Sequence, residues 1–360
     1  MKLLILSNMY PSKKFPSYGT FVFNFVKSLK TNDIEVYRNI SINKTNSRIK
    51  KIILYINYII KGIFYLSHSN KYDIVYIHFP TYSAIPLLLY PLKNKLKKKK
   101  KIVLNFHGDD LFPQSKISNC LYKLTVPIVK EADMIVVPSN YYKEILLSKI
   151  SIPDNRLFIS PSGGINFNNF FPSKKTNTSS ALRIGFLSRI DSGKGWDIFI
   201  KAMHLLKSRD IEFVASIGGG GSEYNKLLNE IQRLHLNDTI RLTGIVPYES
   251  VPKFLRELDI FIFPSTRKGE SLGLTAIEAL ACGIPVIAKN NGAINEFIIN
   301  GYNGFIYNDS NPNSIVELII HYTKLTEQEK VILKYNAFES VKKYDSNIIS
   351  KKLCKALNEI

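Results

Sequence analysis

Cysteine is scarce in this chain. Cys120, Cys282 and Cys354 are the only three and lie far apart with no CxxC pair. A disulfide framework and a cysteine-based zinc site are therefore excluded, and a reducing compartment fits best. Long apolar runs are also missing. The nearest, residues 52–66, is broken by Asn57 and Lys61, so no membrane-spanning helix is expected. The apolar run Leu3–Leu6 near the N-terminus is too short for a signal-peptide core and reads as a first strand, which points to the cytoplasm. Acidic residues are in deficit: 29 Asp+Glu stand against 49 Lys+Arg, a net charge of +20. With 45% apolar and 22% charged residues the chain is nonetheless that of a folded protein, not a disordered one. Its 360 residues suggest two domains, each large enough to bury a core.

The basic excess is concentrated. Between Lys44 and Lys101 there are thirteen Lys/Arg and a single acid, Asp73, and the block Lys93, Lys95 and Lys97 to Lys101 is the densest part. A lysine run is ordinarily a solvated face. Here it lies beside two apolar, aromatic segments, residues 52–60 and 82–92, a combination that also suits an anionic bilayer surface. Nucleic acid is not an expected partner, because no nucleic-acid motif accompanies the charge.

Short apolar strands alternate with helix-length amphipathic segments. In the first half strands are expected at Leu3–Leu6, Ile34–Ile40, Ile74–His78, Ile102–Phe106, Met134–Val137 and Leu157–Ile159. In the second half they are expected at Leu182–Leu187, Phe213–Ile217, Ile240–Leu242, Ile260–Phe263, Pro285–Ala288 and Phe305–Tyr307. Between them fall helices such as Thr20–Lys30, with Phe21, Phe25 and Leu29 on one face. This rhythm predicts an α/β protein of two doubly wound, Rossmann-like domains with parallel sheets, facing across a deep cleft. Residues 1–171 form the first domain and 181–343 the second. The polar, aperiodic stretch 172–180 links them, and the C-terminal helix 344–360 packs back on the first. The helical tail offers Leu333, Phe338, Val341, Ile348, Leu353 and Leu357 as apolar contacts. In such sheets ligands bind outside the carboxyl ends of the strands.

The most informative segment is GESLGLTAIEALACGIPVIA, residues 269–288, which places Glu270 before a helix and Glu278 inside it. Early helix N–H groups can receive a diphosphate, whereas two ionised, acceptor-only carboxylates suit sugar and ribose hydroxyls. Arg189 and Lys194 stand in a second strand-to-helix loop, GFLSRIDSGKG, where cations and helix amides converge. Gly218 to Gly221 follow a strand and permit close backbone approach. His107, Gly108, Asp109 and Asp110 follow another strand, and Tyr18-Gly19 ends an N-terminal loop.

The E-x7-E element of Glu270 and Glu278, with the GFLSRIDSGKG stretch, resembles the signature of the retaining GT-B glycosyltransferases of family 4, and the resemblance covers nearly the whole chain. It implies that Arg189 and Lys194 neutralise the donor diphosphate, with Gly19, Ser271, Leu272, Gly273 and Leu274 at the diphosphate and sugar. Glu270 would hold donor-sugar hydroxyls and Glu278 the ribose, with Gly218 and Gly219 at the nucleotide. His107 would contact the transferred sugar and support the oxocarbenium-like state through its backbone carbonyl. Asp109, Asp110 and Tyr18 are candidates for the acceptor. Two departures stand out: Tyr18 precedes Gly19 where the family often has two glycines, and Asn166 stands where Asp is common.

The implied reaction moves a sugar from a nucleotide-sugar, UDP- or GDP-linked, to a glycan hydroxyl with retention of configuration. Arg189, Lys194 and helix amides would stabilise the departing diphosphate, so no metal or other cofactor is expected. The chain has no Asp-x-Asp pair to hold one; Asp109 and Asp110 are adjacent. The basic, aromatic first domain suggests a polyprenyl-diphosphate-linked acceptor at the inner face of the plasma membrane, in capsule, exopolysaccharide or O-antigen assembly. An inverting transferase, an epimerase of the same fold and an inactive binding subunit are the alternatives.

Overall fold

The structure is a computed structural model, and it describes residues 1–15, 18–173 and 181–360. Most of the expected linker, 174–180, lies outside the described residues. The rest divides into two compact units, Met1–Gly164 with Ser346–Ile360, and Ile165–Asp345. These bounds differ by several residues from those expected, because residues 165–171 group with the second unit.

The first unit holds strands β1 (Lys2–Tyr10), β2 (Glu35–Asn43), β3 (Ile74–His78), β4 (Lys101–Asn105), β5 (Met134–Val137) and β6 (Leu157–Ile159). They form one sheet in the order β2-β1-β3-β4-β5-β6. The second unit holds β7 (Leu182–Leu187), β8 (Phe213–Gly218), β9 (Ile240–Gly244), β10 (Ile260–Phe263), β11 (Val286–Lys289) and β12 (Gly304–Tyr307), in the order β12-β11-β10-β7-β8-β9. Every ladder is parallel. Parallel neighbours need long crossovers, which is why helices separate the strands in sequence. Strand order reverses between β1 and β3 in one sheet and between β7 and β10 in the other, the two switch points where ligands bind in such folds.

Successive strand residues point to opposite faces. Leu3 and Ile5 pack with Phe25, Leu29, Leu353 and Leu357, while Leu4 and Leu6 pack on the other face with Tyr58, Leu66 and Leu87. Helix Ser346–Asn358 thus belongs to the first unit. It buries Ile349, Leu353 and Leu357, whose four-residue spacing shares one helix face, while Ile348 is 45% exposed. The contact expected of Ile348 is therefore made by Ile349. β1 runs on to Tyr10 through polar Ser7 and Asn8: Ser7 pairs with both β2 and β3, and Tyr10 still pairs with Asn43 of β2, which keeps the strand extended where apolar alternation has stopped.

One device recurs where three central strands begin. Asp73, Asp133 and Asp259 each precede a strand, and each carboxylate accepts an N–H from the first or second residue of the neighbouring strand. The donors are Lys2 at 2.8 Å, Ile102 at 2.8 Å and Arg183 at 2.9 Å. Each aspartate's own N–H donates back to the same residue's carbonyl. These reciprocal pairs pin the register at the amino ends of the sheets.

Candidate functional site

The second unit's switch point is built from two loops. The loop after β7, residues 188–195, leads through Gly195 into helix Trp196–Lys207, and the loop after β10, residues 264–273, leads through Gly273 into helix Leu274–Ala281. The loops are stitched together where Thr266 N–H donates to Gly193 O at 2.9 Å. Gly195 has φ 80°, and a Cβ there would sit 2.3 Å from Pro264 O, so only glycine allows this approach.

Lys194 Nζ lies 2.7 Å from Glu270 Oε2, and Ser265 Oγ donates to the same oxygen at 2.8 Å. Asn291 Nδ2 donates to Ser265 O and Arg267 O at 3.1 and 2.9 Å, which fixes the loop bearing Glu270. Burial pushes the Glu270 carboxyl up, but Lys194 and Ser265 outweigh it and hold it below its ordinary range. Glu270 is therefore an ionised acceptor at neutral pH. Arg189 is mostly exposed and pairs with Asp191 at 3.1 Å. Asp191 in turn accepts from Ser222 N–H and Oγ at 2.8 and 2.9 Å. Gly219 and Gly221 serve the same packing. A Cβ on Gly219 would fall 1.8 Å from Ser188 O, and one on Gly221 2.3 Å from Ile190 O, so the glycine run lies against the Arg189 loop.

Glu278 sits inside helix Leu274–Ala281 and is 5% exposed. Burial pushes its carboxyl up to about 8. This corrects the expectation of two ionised carboxylates: at neutral pH Glu278 is largely protonated and can donate as well as accept. One environment holds Glu270 ionised and the other keeps Glu278 neutral, the divergence that gives paired carboxylates separate tasks. Gly273 adopts φ 82° at the start of this helix, the side chain of Leu272 is buried, and Ser271 and Leu274 are partly exposed.

In the first unit, His107 follows β4. Its Nε2 is 3.1 Å from Nδ1 of His78, which ends β3 and is 1% exposed. The Phe21 ring lies against His107, with centroids 4.2 Å apart and the planes tilted by 36°. Burial lowers both imidazoles, His107 to about 3 and His78 well below its ordinary range with His107 adding to the effect. Both are neutral, and His78 Nε2 is buried with no partner.

Asp110 is not available to an acceptor, contrary to expectation. It is fully buried, and its carboxyl accepts from His107 N–H at 2.7 Å and Thr81 N–H at 3.2 Å. Its work is to hold the His107 loop against the segment after β3. Tyr142 Oη donates to Gly108 O at 2.8 Å and braces the same loop. Asp109 is partly exposed. Tyr18 Oη donates to Asn8 O at 3.3 Å. Gly19, at φ 77°, caps helix Thr20–Lys30, and a Cβ there would lie 2.8 Å from Tyr10 N, so close approach to β1 explains the glycine.

Sequence reading missed four participants. Asp191 lies inside the GFLSRIDSGKG stretch and Ser265 four residues before the GESLGL segment, and both could have been found as polar neighbours of Arg189 and Glu270. His78 and Asn291 carry no local signal and are recruited from other strand ends. Among the described residues no group of three or more His, Cys, Asp or Glu side chains is arranged to hold a metal ion.

Two doubly wound parallel units with this loop geometry are those of a GT-B glycosyltransferase. The chain belongs to glycosyltransferase family 4: residues 19–163 match the family described as Glycosyltransferase Family 4, and residues 168–346 that described as Glycosyl transferases group 1. It is similar to the uncharacterized glycosyltransferase MJ1178 of Methanocaldococcus jannaschii, at 28% identity over 95% of each chain. It is 25% identical to the amylovoran biosynthesis glycosyltransferase AmsK of Erwinia amylovora, over 70% of this chain and 61% of that one. In fold it resembles Anabaena Alr3699/HepE, solved in complex with UDP and glucose, with TM-score 0.75, 17% identity and full coverage of both chains.

Proposed function

We propose that this glycosyltransferase moves a sugar from a nucleotide-sugar to a hydroxyl of a lipid-linked glycan, with retention of configuration, in cell-surface polysaccharide assembly. The observation that carries the reading is the Lys194–Glu270–Ser265 cluster at the β7/β10 switch point, 2.7 and 2.8 Å between partners. A fixed, ionised carboxylate is suited to orient sugar hydroxyls, and Lys194 with Arg189 supplies positive charge for a leaving diphosphate. Glu278 would meet the ribose, the amides of residues 271–274 the diphosphate, and Gly218 and Gly219 the nucleotide. Gly19 and His107 would contact the diphosphate and sugar, and Tyr18 and Asp109 the acceptor. The relative in amylovoran biosynthesis supports the polysaccharide setting, and the UDP-bound fold neighbour supports a UDP-sugar donor.

In this reading the departing diphosphate oxygen takes the acceptor's proton on the same face of the sugar, so no side chain becomes covalently attached. The protein's share is electrostatic, and two basic residues make a divalent metal unnecessary. The net charge of +20 supports work at an anionic membrane surface.

A thermal-shift panel of UDP-, GDP-, ADP- and CDP-sugars on wild type and Arg189→Ala tests the donor site. Saturation at about 100 times Kd adds roughly 2.7 kcal/mol of stability. One nucleotide class should shift wild type and not the variant; no shift with any would sink the reading. Proton NMR of the product tests retention, since an inverted anomer overturns it, and turnover lost in EDTA and restored by Mn2+ overturns metal independence.

A further inference from the structure

Helix Arg48–Ser67 in the first unit is amphipathic the wrong way round. Its inner face is set by Tyr58, Gly62 and Leu66, which are buried. Tyr58 Oη donates to Ser83 O at 2.8 Å, and a Cβ on Gly62 would lie 2.5 Å from Pro86 Cβ, so this face is packed tight. The opposite face is apolar as well. Ile49, Ile52, Ile53, Ile56, Ile60 and Phe64 are each more than half exposed. At about 100° per residue they project within an arc of roughly 120° centred away from the core. A surface helix normally turns polar residues outward, and an outward apolar stripe of this length marks an interaction surface.

Three features of the surroundings say what covers it. Arg48, Lys50, Lys51 and Lys61 are all exposed on the same helix, which carries no acid. Helix Ile85–Leu89 packs beside it, and Leu89 and Leu92, also exposed, extend the apolar area towards the lysine block. That block approaches the helix's far end: Lys100 Nζ lies 5.8 Å over the Tyr72 ring, and Tyr72 Oη donates to Leu66 O at 2.9 Å. A second copy of this chain would bring lysines against lysines. An anionic bilayer satisfies both elements, its acyl region taking the isoleucines and its headgroups the ammonium groups.

We propose that the outward face of helix Arg48–Ser67 is the membrane-docking element and lies in the plane of an anionic bilayer. The stripe from Ile49 to Phe64 is about 22 Å long at 1.5 Å per residue, and among the described residues no helix is long and apolar enough to cross a membrane. The helix therefore inserts sideways, with Ile49, Ile56 and Ile60 nearest the middle of the stripe, Ile52 and Phe64 at its edges, and Lys50 and Lys61 at the headgroups. This rests on the membrane-surface reading above and names the residues that perform it.

Co-sedimentation with vesicles of phosphatidylcholine alone and of phosphatidylcholine with 30% phosphatidylglycerol, at low and high salt, tests it. Full-length wild type should bind the anionic vesicles and retain part of that binding at high salt. Ile52→Ser/Ile56→Ser/Ile60→Ser should bind at least about tenfold more weakly at both salts, with an unchanged melting temperature because these side chains contact solvent. Lys50→Glu/Lys51→Glu/Lys61→Glu should lose binding chiefly at low salt. Wild type left wholly in the supernatant overturns the proposal, as does an isoleucine variant that binds undiminished. A wild-type dimer that the isoleucine variant converts to monomer, without vesicle binding, assigns the stripe to a second copy and also overturns it. Nucleotide-sugar thermal shifts on the same proteins separate this failure from failure of the transferase reading.

Discussion

Lys194 Nζ and Glu270 Oε2 are 2.7 Å apart, and both side chains are largely withdrawn from solvent, at 15% and 14% exposure. The two residues reach each other from different loops, 76 positions apart, so the pair couples the turn after β7 to the turn after β10. A charge left unpaired in such a place is expensive, and the pair therefore determines both the loop geometry and the protonation of Glu270.

Lys194→Ala is expected to lower kcat by at least about a hundredfold, the scale of losing one preorganised electrostatic partner. It also removes the main influence holding Glu270 down, so burial raises that carboxyl and the acidic limb of the kcat/KM profile moves to higher pH. Glu270→Gln removes that limb. A Lys194→Ala profile with its acidic limb unmoved would show that the pair does not set Glu270's ionisation.

Glu278 is expected to make stability fall as pH rises. Its folded-state value of about 8 lies above the unfolded one, so the native state holds its proton longer. The contribution is full below about pH 4.5 and is lost progressively up to about 8, on the order of a few kcal/mol. Urea unfolding at pH 5 and pH 8.5 measures it. Glu278→Gln should abolish this part of the slope, and a variant with the wild-type slope would assign it elsewhere.

The His78–His107 pair acts in the opposite sense. Both imidazoles titrate below their ordinary value, so the unfolded chain binds more protons below about pH 6.5. Stability from this source is present above that pH and lost as pH falls towards 3. His78→Phe should flatten the loss between pH 7 and 5 in urea titrations, because the most deeply buried imidazole is gone. An unchanged slope would clear His78 of the effect.

Gly195→Ala is expected to destabilise the second unit by about 1–3 kcal/mol, since the residue combines a positive φ with a Cβ position 2.3 Å from Pro264 O. Gly163→Ala is the control: it has positive φ but nothing within 4 Å, so its loss should be the smaller. Denaturant midpoints of the two proteins compare them directly, and equal losses would mean that the Pro264 contact yields.

Asp110→Asn should cost about 1–3 kcal/mol, because an amide can accept from only one of the two N–H groups the carboxyl now satisfies and sets its own donor against the other. Donor thermal shifts should be retained in the variant if its role is confined to bracing the His107 loop.

The strands were legible because a parallel strand covered on both faces reads as a continuous apolar run, and runs such as Ile74–His78 and Ile260–Phe263 end where the ladders end. The loops carrying Arg189, Lys194 and Glu270 were legible because glycine and charge cluster where strand turns into helix. His78 was not, since a histidine closing a buried strand looks like any other core residue until the sheet brings His107 beside it. Asp110 was misread because an acid next to a histidine suggests chemistry, whereas only the folded loop shows its oxygens turned inward to Thr81 and His107 N–H groups.

Sequence by itself determined the class of fold and the positions of the glycine-rich loops at the strand ends, because these depend on periodicity and on local turn chemistry, and its motifs carried the resemblance to the family. Tertiary structure alone decided which charges meet, that Glu270 is ionised while Glu278 is not, and that the isoleucines of helix Arg48–Ser67 turn away from the core. Those properties arise from burial and from partners distant in sequence. The free energy of a carboxylate or an isoleucine is set by what surrounds it, and the order of residues does not contain that.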